Sequence, residues 1–495
     1  MQSDNKKMNL SRDVLAYIPV KLIPAITGLL SIVILTRNLA PEEYGRYSVA
    51  ITTALLLVQL AGSWLSNSVL YLYPDYLDEK AKSEFRRQTI NLQLLVSIPA
   101  SGIAYAAIYI VTHTQQLALV GGVLVFGQLM QGLLMTFLQS SRKIYTQAIS
   151  VGLQSTFQIG TLCVLIFAAN GKETAAAIAV AVGFLAGNMI LFIANRNLQD
   201  RIPGVSKVIS RELFLKLLGY GLPMCLWFFA TQFYMVGDRI LLQFFGIDEQ
   251  LGQYASFRDL ATGCAGFLTM PLLMASHPII MAKWKSRCEP QEIEKIISNN
   301  IVILSLIFTP LIALADIVGS YFIIALFGRR YVLPENIMIL VIISIYIGSI
   351  AIHLQKGLEV TGKTAVMAKI SLMTAIFSVI ADFIVIPRFE VIGSAAVVVV
   401  SSILYLSIVF ISVRNTLLPR IPVKFFLKLI IWLLAVDLTM RFSNIILITH
   451  FDEKSIIIFN VSCIMLAAVA LFISDERIRH IVLSEKYSKK SRNII

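Results

Sequence analysis

Two short stretches of this chain share one pattern: Ala40-Pro41-Glu42-Glu43-Tyr44-Gly45-Arg46-Tyr47-Ser48 and Gly246-Ile247-Asp248-Glu249-Gln250-Leu251-Gly252-Gln253-Tyr254-Ala255. One inserted residue aligns them. In each, a small residue ends an apolar run, and an acidic pair stands where a helix N-terminus favours negative charge. Gly-x-Tyr then opens the next apolar run. Working outward from the first copy, runs of about 20 residues, the length that crosses a bilayer, cover Val14 to Leu35, Tyr47 to Val69, Ile90 to Thr112, Leu117 to Leu138, Gln147 to Ala168 and Thr174 to Ala194. Around the second copy lie Gly219 to Leu241, Tyr254 to Ile280, Ile296 to Ala315, Asn336 to Leu354, Thr364 to Ile386 and Ile392 to Val413. Six spans separate the copies, so both halves share one topology and are related by a pseudo-two-fold along the membrane normal. Phe425 to Ile448 and Ser455 to Ile473 add a final pair.

The expected fold is therefore an all-α polytopic membrane protein of about 14 transmembrane helices, with two pseudo-symmetric six-helix lobes around a central cavity. Residues 1–195 form the N-terminal lobe, 196–216 a linker, 217–413 the C-terminal lobe, 414–474 the additional helix pair and 475–495 a basic tail. Composition agrees: 57% of 495 residues are hydrophobic and 14% charged, far from the usage of a soluble enzyme. The net charge of +13 is spread through the gaps between apolar runs and forms no aromatic-interleaved patch, which argues against nucleic acid. Cys163, Cys225, Cys264, Cys288 and Cys463 show neither CxxC nor metal-ligand spacing, so neither disulfides nor structural zinc is expected. Lys6, Lys7 and Arg12 precede an apolar run too long for a signal peptide and lacking a small-residue cleavage site, so it reads as a retained first span.

Lys and Arg in short loops stay on the cytoplasmic side during insertion. The N-terminus, the loops after even-numbered spans with their adjoining helix turns, and the C-terminal tail hold 31 of the 42 Lys and Arg. Both termini are thus expected in the cytoplasm, as an even number of spans requires.

Four stretches carry a family resemblance. They are Leu35-Thr36-Arg37-Asn38-Leu39 running into Pro41-Glu42-Glu43-Tyr44-Gly45, then Tyr220-Gly221-Leu222-Pro223, then Asp238-Arg239-Ile240-Leu241-Leu242, and Ile386-Pro387-Arg388-Phe389 with Ile392-Gly393-Ser394-Ala395-Ala396. In order and spacing the chain resembles the polysaccharide-transporter branch of the multidrug/oligosaccharidyl-lipid/polysaccharide exporter superfamily, the lipid-linked oligosaccharide flippases such as O-antigen translocases. Ser394 stands where the family commonly has Ala, and Glu390 where Gly is usual. The resemblance implies movement of an undecaprenyl-pyrophosphate-linked sugar unit from the inner to the outer leaflet of the bacterial inner membrane. It also implies a lipid-linked oligosaccharide cargo, surrounding membrane lipids, and other polysaccharide-assembly proteins as partners.

Such a cargo has an anionic pyrophosphate and a polar glycan that must cross about 30 Å of hydrocarbon. Helical spacing places Gln128, Gln131, Gln139 and Arg142 on one sector of span 4, and Gln147, Gln154, Gln158 and Thr161 on one sector of span 5. Span 2 offers Thr52, Gln59, Ser63 and Ser66, and span 7 offers Gln232, Arg239 and Gln243. Candidates to line a glycan path are Gln59, Gln128, Gln131, Gln139, Gln154, Gln158 and Gln232. Amides suit uncharged sugars. For any one Gln the plainer reading is an amide bridging neighbouring helices.

Basic residues within spans are costly, so Lys21, Arg37, Arg46, Arg239 and Arg258 are candidates to hold the pyrophosphate in a cationic cavity. Snorkelling to the interface competes for Lys21, and interfacial anchoring or salt bridging for the arginines. Asp238, Asp259 and Asp382 are candidates for proton or sodium coupling, against pairing of Asp238 with Arg239 or Arg258 and of Asp437 with Arg441. The five histidines are dispersed. Gly171-Lys172-Glu173-Thr174 and Gly362-Lys363-Thr364 lack the preceding glycine of a phosphate loop, so ATP hydrolysis is not expected. No other cofactor is expected, and the chain reads as a secondary transporter, not an enzyme. A multidrug exporter of the same architecture would favour a cavity of carboxylates and aromatics, whereas a membrane polymerase or glycosyltransferase would need larger extramembrane loops.

Overall fold

The computed structural model describes residues 10–76, 78–141, 143–169, 171–199, 209–414, 416–419, 423–447 and 453–474. Linker residues 200–208, Arg142 and the tail from 475 lie outside the described residues, as does the side chain of Lys21. The first lobe consists of α1 (Leu10–Asn38), α2 (Pro41–Leu72), α3 (Glu79–Thr112), α4 (Gln115–Ser140), α5 (Ile144–Cys163) and α6 (Glu173–Gln199). The second consists of α7 (Arg211–Val236), α8 (Asp238–Phe244), α9 (Asp248–Lys285), α10 (Pro290–Phe327), α11 (Glu335–Leu354), α12 (Lys356–Val360) and α13 (Thr364–Val413). The pair α14 (Val423–Leu447) and α15 (Glu453–Ser474) follows.

Local chemistry sets the helix starts. Pro41 occupies the first turn of α2, where its missing N–H costs nothing, and Glu43 accepts a hydrogen bond from the Ala40 amide at 3.0 Å. Asp78 caps α3 through the Ala81 amide, and Ser210 caps α7 through Leu213. The two helices α6 and α7 therefore reach well into the stretch read as a linker. Prolines 99, 223, 271, 278, 310 and 387 stand inside spanning helices, a placement that membrane helices tolerate where neighbours satisfy the freed carbonyls.

At fifty residues α13 would be roughly 75 Å long if straight, more than twice the hydrocarbon core. It turns at Glu390, whose φ of 48° and ψ of −134° interrupt the helix. The two arms then lie side by side: Met367, Ile370 and Ala375 share one apolar cluster with Tyr405, Val409 and Val413. Among the described residues ten helices are long and apolar enough to cross a membrane. Among the described residues α1 and α15 contribute shorter apolar stretches, Leu22–Asn38 and Ser455–Leu471, and with α14 and the second arm of α13 these helical segments number fourteen, as expected. The final pair packs on α10, through Val302 and Leu306 against Phe425 and Leu429, and through Ala313 against Val436, Met440 and Ile464.

Helix α2 joins the two lobes at both of its ends. Its C-terminal half meets α7: Trp64, Leu65 and Val69 cluster with Leu217 and Cys225, and the Tyr71 and Tyr220 rings stack at 4.1 Å. Ser68 donates to the Leu217 carbonyl at 2.6 Å. A Cβ on Gly221 would lie 2.1 Å from the Trp64 carbonyl oxygen, so a side chain there would force the helices apart. Its N-terminal end meets α8 and α9, where Tyr44 and Val49 cluster with Leu242, Leu251 and Tyr254.

Candidate functional site

The repeated motif lies on the boundary between the lobes. A Cβ on Gly45 would fall 3.1 Å from the Asp248 carbonyl oxygen, and one on Gly252 would fall 1.7 Å from that of Pro41. The contact is reciprocal: each glycine faces the residue four positions before the other. That is the signature of a pseudo-two-fold passing between α2 and α9, and backbones approach this closely where both residues are small.

A buried polar network surrounds the crossing. Tyr44 on α2 donates to Asp259 on α9 at 2.9 Å. Asp259 pairs with Arg239 of α8 at 2.7 Å, and Arg239 donates back to Ser48 on α2 at 2.8 Å. Arg258 pairs with Asp238 and donates to the Tyr254 hydroxyl and the Met235 carbonyl. Tyr254 in turn donates to Asp238 at 2.7 Å. Asp238, Arg239 and Arg258 are exposed by 3%, 5% and 4%, so each depends on its partner to offset lost hydration. Arg37 donates from α1 to the carbonyls of Leu326 at 2.7 Å and Ala325, a second link between lobes. Arg46 pairs with Glu173 at 3.0 Å and Lys172 with Glu43 at 3.2 Å, both within the first lobe.

Of the five basic candidates, four thus gather at one end of the bundle and bond carboxylates or carbonyls. Lys21 lies on α1, seventeen residues before the crossing end. Among the acidic candidates, Asp238 and Asp382 come together and Asp259 serves the α2 link. Asp382, on the first arm of α13, is 1% exposed; it bonds Ser378 and interacts with Asp238 and Arg258. The Ser394 hydroxyl of the second arm lies 3.5 Å from Asp238. One oxygen on each of Asp238 and Asp382 is buried with no partner among the described residues. Among the described residues no group of three or more His, Cys, Asp or Glu is placed to hold a metal ion. Asp437 and Asp316 both pair with Arg441, tying α14 to α10.

The amides divide. Gln131 donates to Gln154 at 2.8 Å and Gln147 to the Met135 carbonyl at 2.9 Å, so these bridge helices. Gln158 packs beside Gly183, Gln139 is exposed near the end of α4, and Gln232 is half-buried on α7. By contrast Gln59 and Gln128 line a cavity of about 260 Å³ between α2, α4 and α7, with Ser63, Ser66, Asn67 and Phe228. Sequence reasoning missed Asn67 and Phe228. Asn67 continues the Gln59, Ser63 stripe at a spacing of four, a signal that was present, whereas Phe228 is one aromatic in an apolar run. The hydroxyls of Tyr44, Ser48 and Tyr254 were missed as well; the repeat pointed to their helices but not to their partners.

The family model for polysaccharide biosynthesis proteins matches residues 10–284. No curated protein gives a significant match. Among solved structures, lipid II flippase MurJ in an inward closed conformation superposes with a TM-score of 0.74 at 15% identity, covering 95% of this chain and 100% of that one. An inward-facing multidrug resistance MATE family transporter of the MOP superfamily gives 0.59 at 14% identity, covering 79% and 94%. An outward-facing transporter of that family gives 0.52 at 14%, covering 82% and 94%. At these identities the likeness is one of fold.

Proposed function

This chain belongs to the polysaccharide biosynthesis protein family, and we propose that it is a flippase for a polyprenyl-pyrophosphate-linked oligosaccharide. It carries one repeat unit across the bacterial inner membrane by alternating access of its two lobes, for assembly of O-antigen, capsule or exopolysaccharide. The observation that carries this reading is the cavity of amides and hydroxyls at the seam between lobes, since a glycan needs such donors and acceptors in place of water. The name of its structural neighbour, a flippase for lipid II, supports a lipid-borne cargo.

In this reading the lipid tail stays in the bilayer while the glycan passes between the lobes. The crossing of α2 and α9 closes the periplasmic end, and both termini are cytoplasmic. Arg37 and Arg239 hold that end shut through their bonds to the Leu326 and Ala325 carbonyls and to Ser48, while Arg258 braces α8 against α9 within the second lobe, leaving the pyrophosphate to Lys21 on α1 and to arginines released when the end opens. Asp238 and Asp382, with Ser378 and Ser394, would hold the coupling proton or sodium, whose charge offsets the repulsion between the two carboxylates. The chain is a secondary transporter, and the energy comes from that ion or from consumption of the product beyond the membrane.

The test is to delete the gene and locate the lipid-linked sugar with a membrane-impermeant probe on intact cells, using complementation as the control. Accumulation of single units on the cytoplasmic leaflet supports the flippase. Accumulation on the periplasmic leaflet points instead to polymerisation, and no accumulation points to drug export.

A further inference from the structure

We infer that the cavity between α2, α4 and α7 is a subsite for one uncharged sugar residue of the cargo, and that it excludes acidic sugars. The inference rests on the flippase reading for the identity of the cargo, but its evidence is the state of the lining groups. Among the described residues the side-chain amide of Gln59, that of Gln128 and the Ser66 hydroxyl have no protein partner, and the Gln128 carbonyl oxygen is also buried. Leaving a buried polar group unsatisfied is costly, and although other buried amide oxygens, such as those of Gln93, Gln147 and Asn188, also lack a partner among the described residues, that of Gln128 belongs to the wall of this cavity, where an occupant can reach it. The groups around the cavity are also pre-set. Ser63 donates to the Gln59 carbonyl, and Asn67 donates to the Ser63 carbonyl at 2.7 Å. The Asn67 side-chain oxygen therefore remains as an acceptor.

Amide and hydroxyl groups each donate and accept, as sugar hydroxyls do. Phe228, entering from α7, offers an apolar face to the C–H side of a pyranose ring. A volume of about 260 Å³ falls just below the range of about 300–1,000 Å³ that takes drug-sized ligands, which fits one sugar and not a whole repeat unit. Among the described residues no Lys, Arg, His, Asp or Glu lines it. A uronate placed there would lose part of its hydration with no cation among the described lining residues to offset the loss. The occupant touches both lobes, because Gln59 and Gln128 belong to the first and Phe228 to the second, so sugar occupancy bears directly on their relative position.

The test uses the full chain in lipid nanodiscs and two probes, a polyprenyl-pyrophosphate trihexoside and its analogue with one hexose replaced by glucuronate. Equilibrium binding should favour the neutral probe by tenfold or more. Gln128→Lys should cut that preference at least tenfold by supplying a cation, and Ser66→Val should weaken the neutral probe severalfold while leaving thermal stability near wild type. Equal affinity of wild type for both probes, or an unchanged preference in both variants, overturns the inference. Translocation of the neutral probe in vesicles is scored separately. Selective binding without translocation keeps the sugar subsite and removes the flippase reading.

Discussion

Adding one methyl group at Gly252 should open the end of the bundle where α2 crosses α9. The new Cβ would lie 1.7 Å from the Pro41 carbonyl oxygen, about half an ordinary contact distance. That oxygen belongs to backbone, so no side chain can swing away, and the helices must part by on the order of 1.5 Å. A displacement of that size carries the Tyr44 to Asp259 bond from 2.9 Å and the Arg239 to Ser48 bond from 2.8 Å beyond hydrogen-bonding range. Each involves a charged group, and such bonds are worth about 1.5–3 kcal/mol. The closed arrangement should therefore weaken by about 3 kcal/mol, a shift of roughly a hundredfold in population. The readout is labelling of Ala255→Cys, a position with no exposed surface, by an impermeant maleimide in a background stripped of native cysteines. Labelling should rise steeply in Gly252→Ala, less in Gly45→Ala, where the added atom meets Asp248 at 3.1 Å, and not in Gly266→Ala, where it meets nothing within 4 Å. Equal labelling across this series in well-folded protein would refute the reasoning.

Further outcomes follow from the same geometry. Asp238→Asn leaves Arg258 without its buried partner and should lower stability by about 3–5 kcal/mol, as read by thermal unfolding in detergent; Asp238→Asn with Arg258→Met should recover much of the loss. Asp382→Asn should abolish the dependence of transport on sodium or pH, and retention of that dependence would remove Asp382 from ion coupling. Gln131→Leu with Gln154→Leu removes one interhelical bond; the double variant should lose no more than about 1 kcal/mol beyond either single change. Glu390→Gly should raise the melting temperature slightly. It relieves a positive φ that costs a non-glycine residue about 1 kcal/mol, partly offset by loss of the 2.6 Å bond from Gln250, whereas Glu390→Val should lower it.

The architecture was legible because its signals are periodic and long. Apolar runs separated by charged loops give the crossings, and the Gly-x-Tyr repeat gives the two halves. The site was harder because it depends on which helix faces which. Gln128 and Gln131 stand three residues apart, so helical spacing puts them on one stripe. Their fates diverge only because α5 presents Gln154 to one of them and the cavity lies before the other. Partner choice among charges is equally tertiary. Arg239 and Arg258 each sit next to an aspartate in sequence, yet Arg239 pairs with the neighbour of Arg258 and Arg258 with the neighbour of Arg239. Glu390 is the converse case, a departure visible in the sequence whose meaning needed the backbone. Its φ of 48° explains why glycine is the usual residue at this turn.

The two ends of α2 are held by different chemistry, and the difference bears on which of them can open repeatedly. Toward α7 the seam is mainly apolar and aromatic, built on Trp64, Leu65, Leu217 and the stacked tyrosines. Separating it would expose that surface at roughly 25 cal/mol per Å², a cost that lipid or a second helix must offset. Toward α9 the contact is a glycine crossing flanked by two hydrogen bonds between the lobes, Tyr44 to Asp259 and Arg239 to Ser48, while the ion pairs of Arg239 with Asp259 and of Arg258 with Asp238 stay within the second lobe. A hydrogen bond that is exchanged for one to water contributes only modestly to the balance. When that end parts and water enters, Tyr44, Ser48, Asp259 and Arg239 take water in place of their partners across the crossing and the ion pairs persist, so the closed and open arrangements differ by only a few kcal/mol. On the proposed alternating-access reading, two lobes joined this way close with specific register and still open within the range that a bound ion or a glycan would supply.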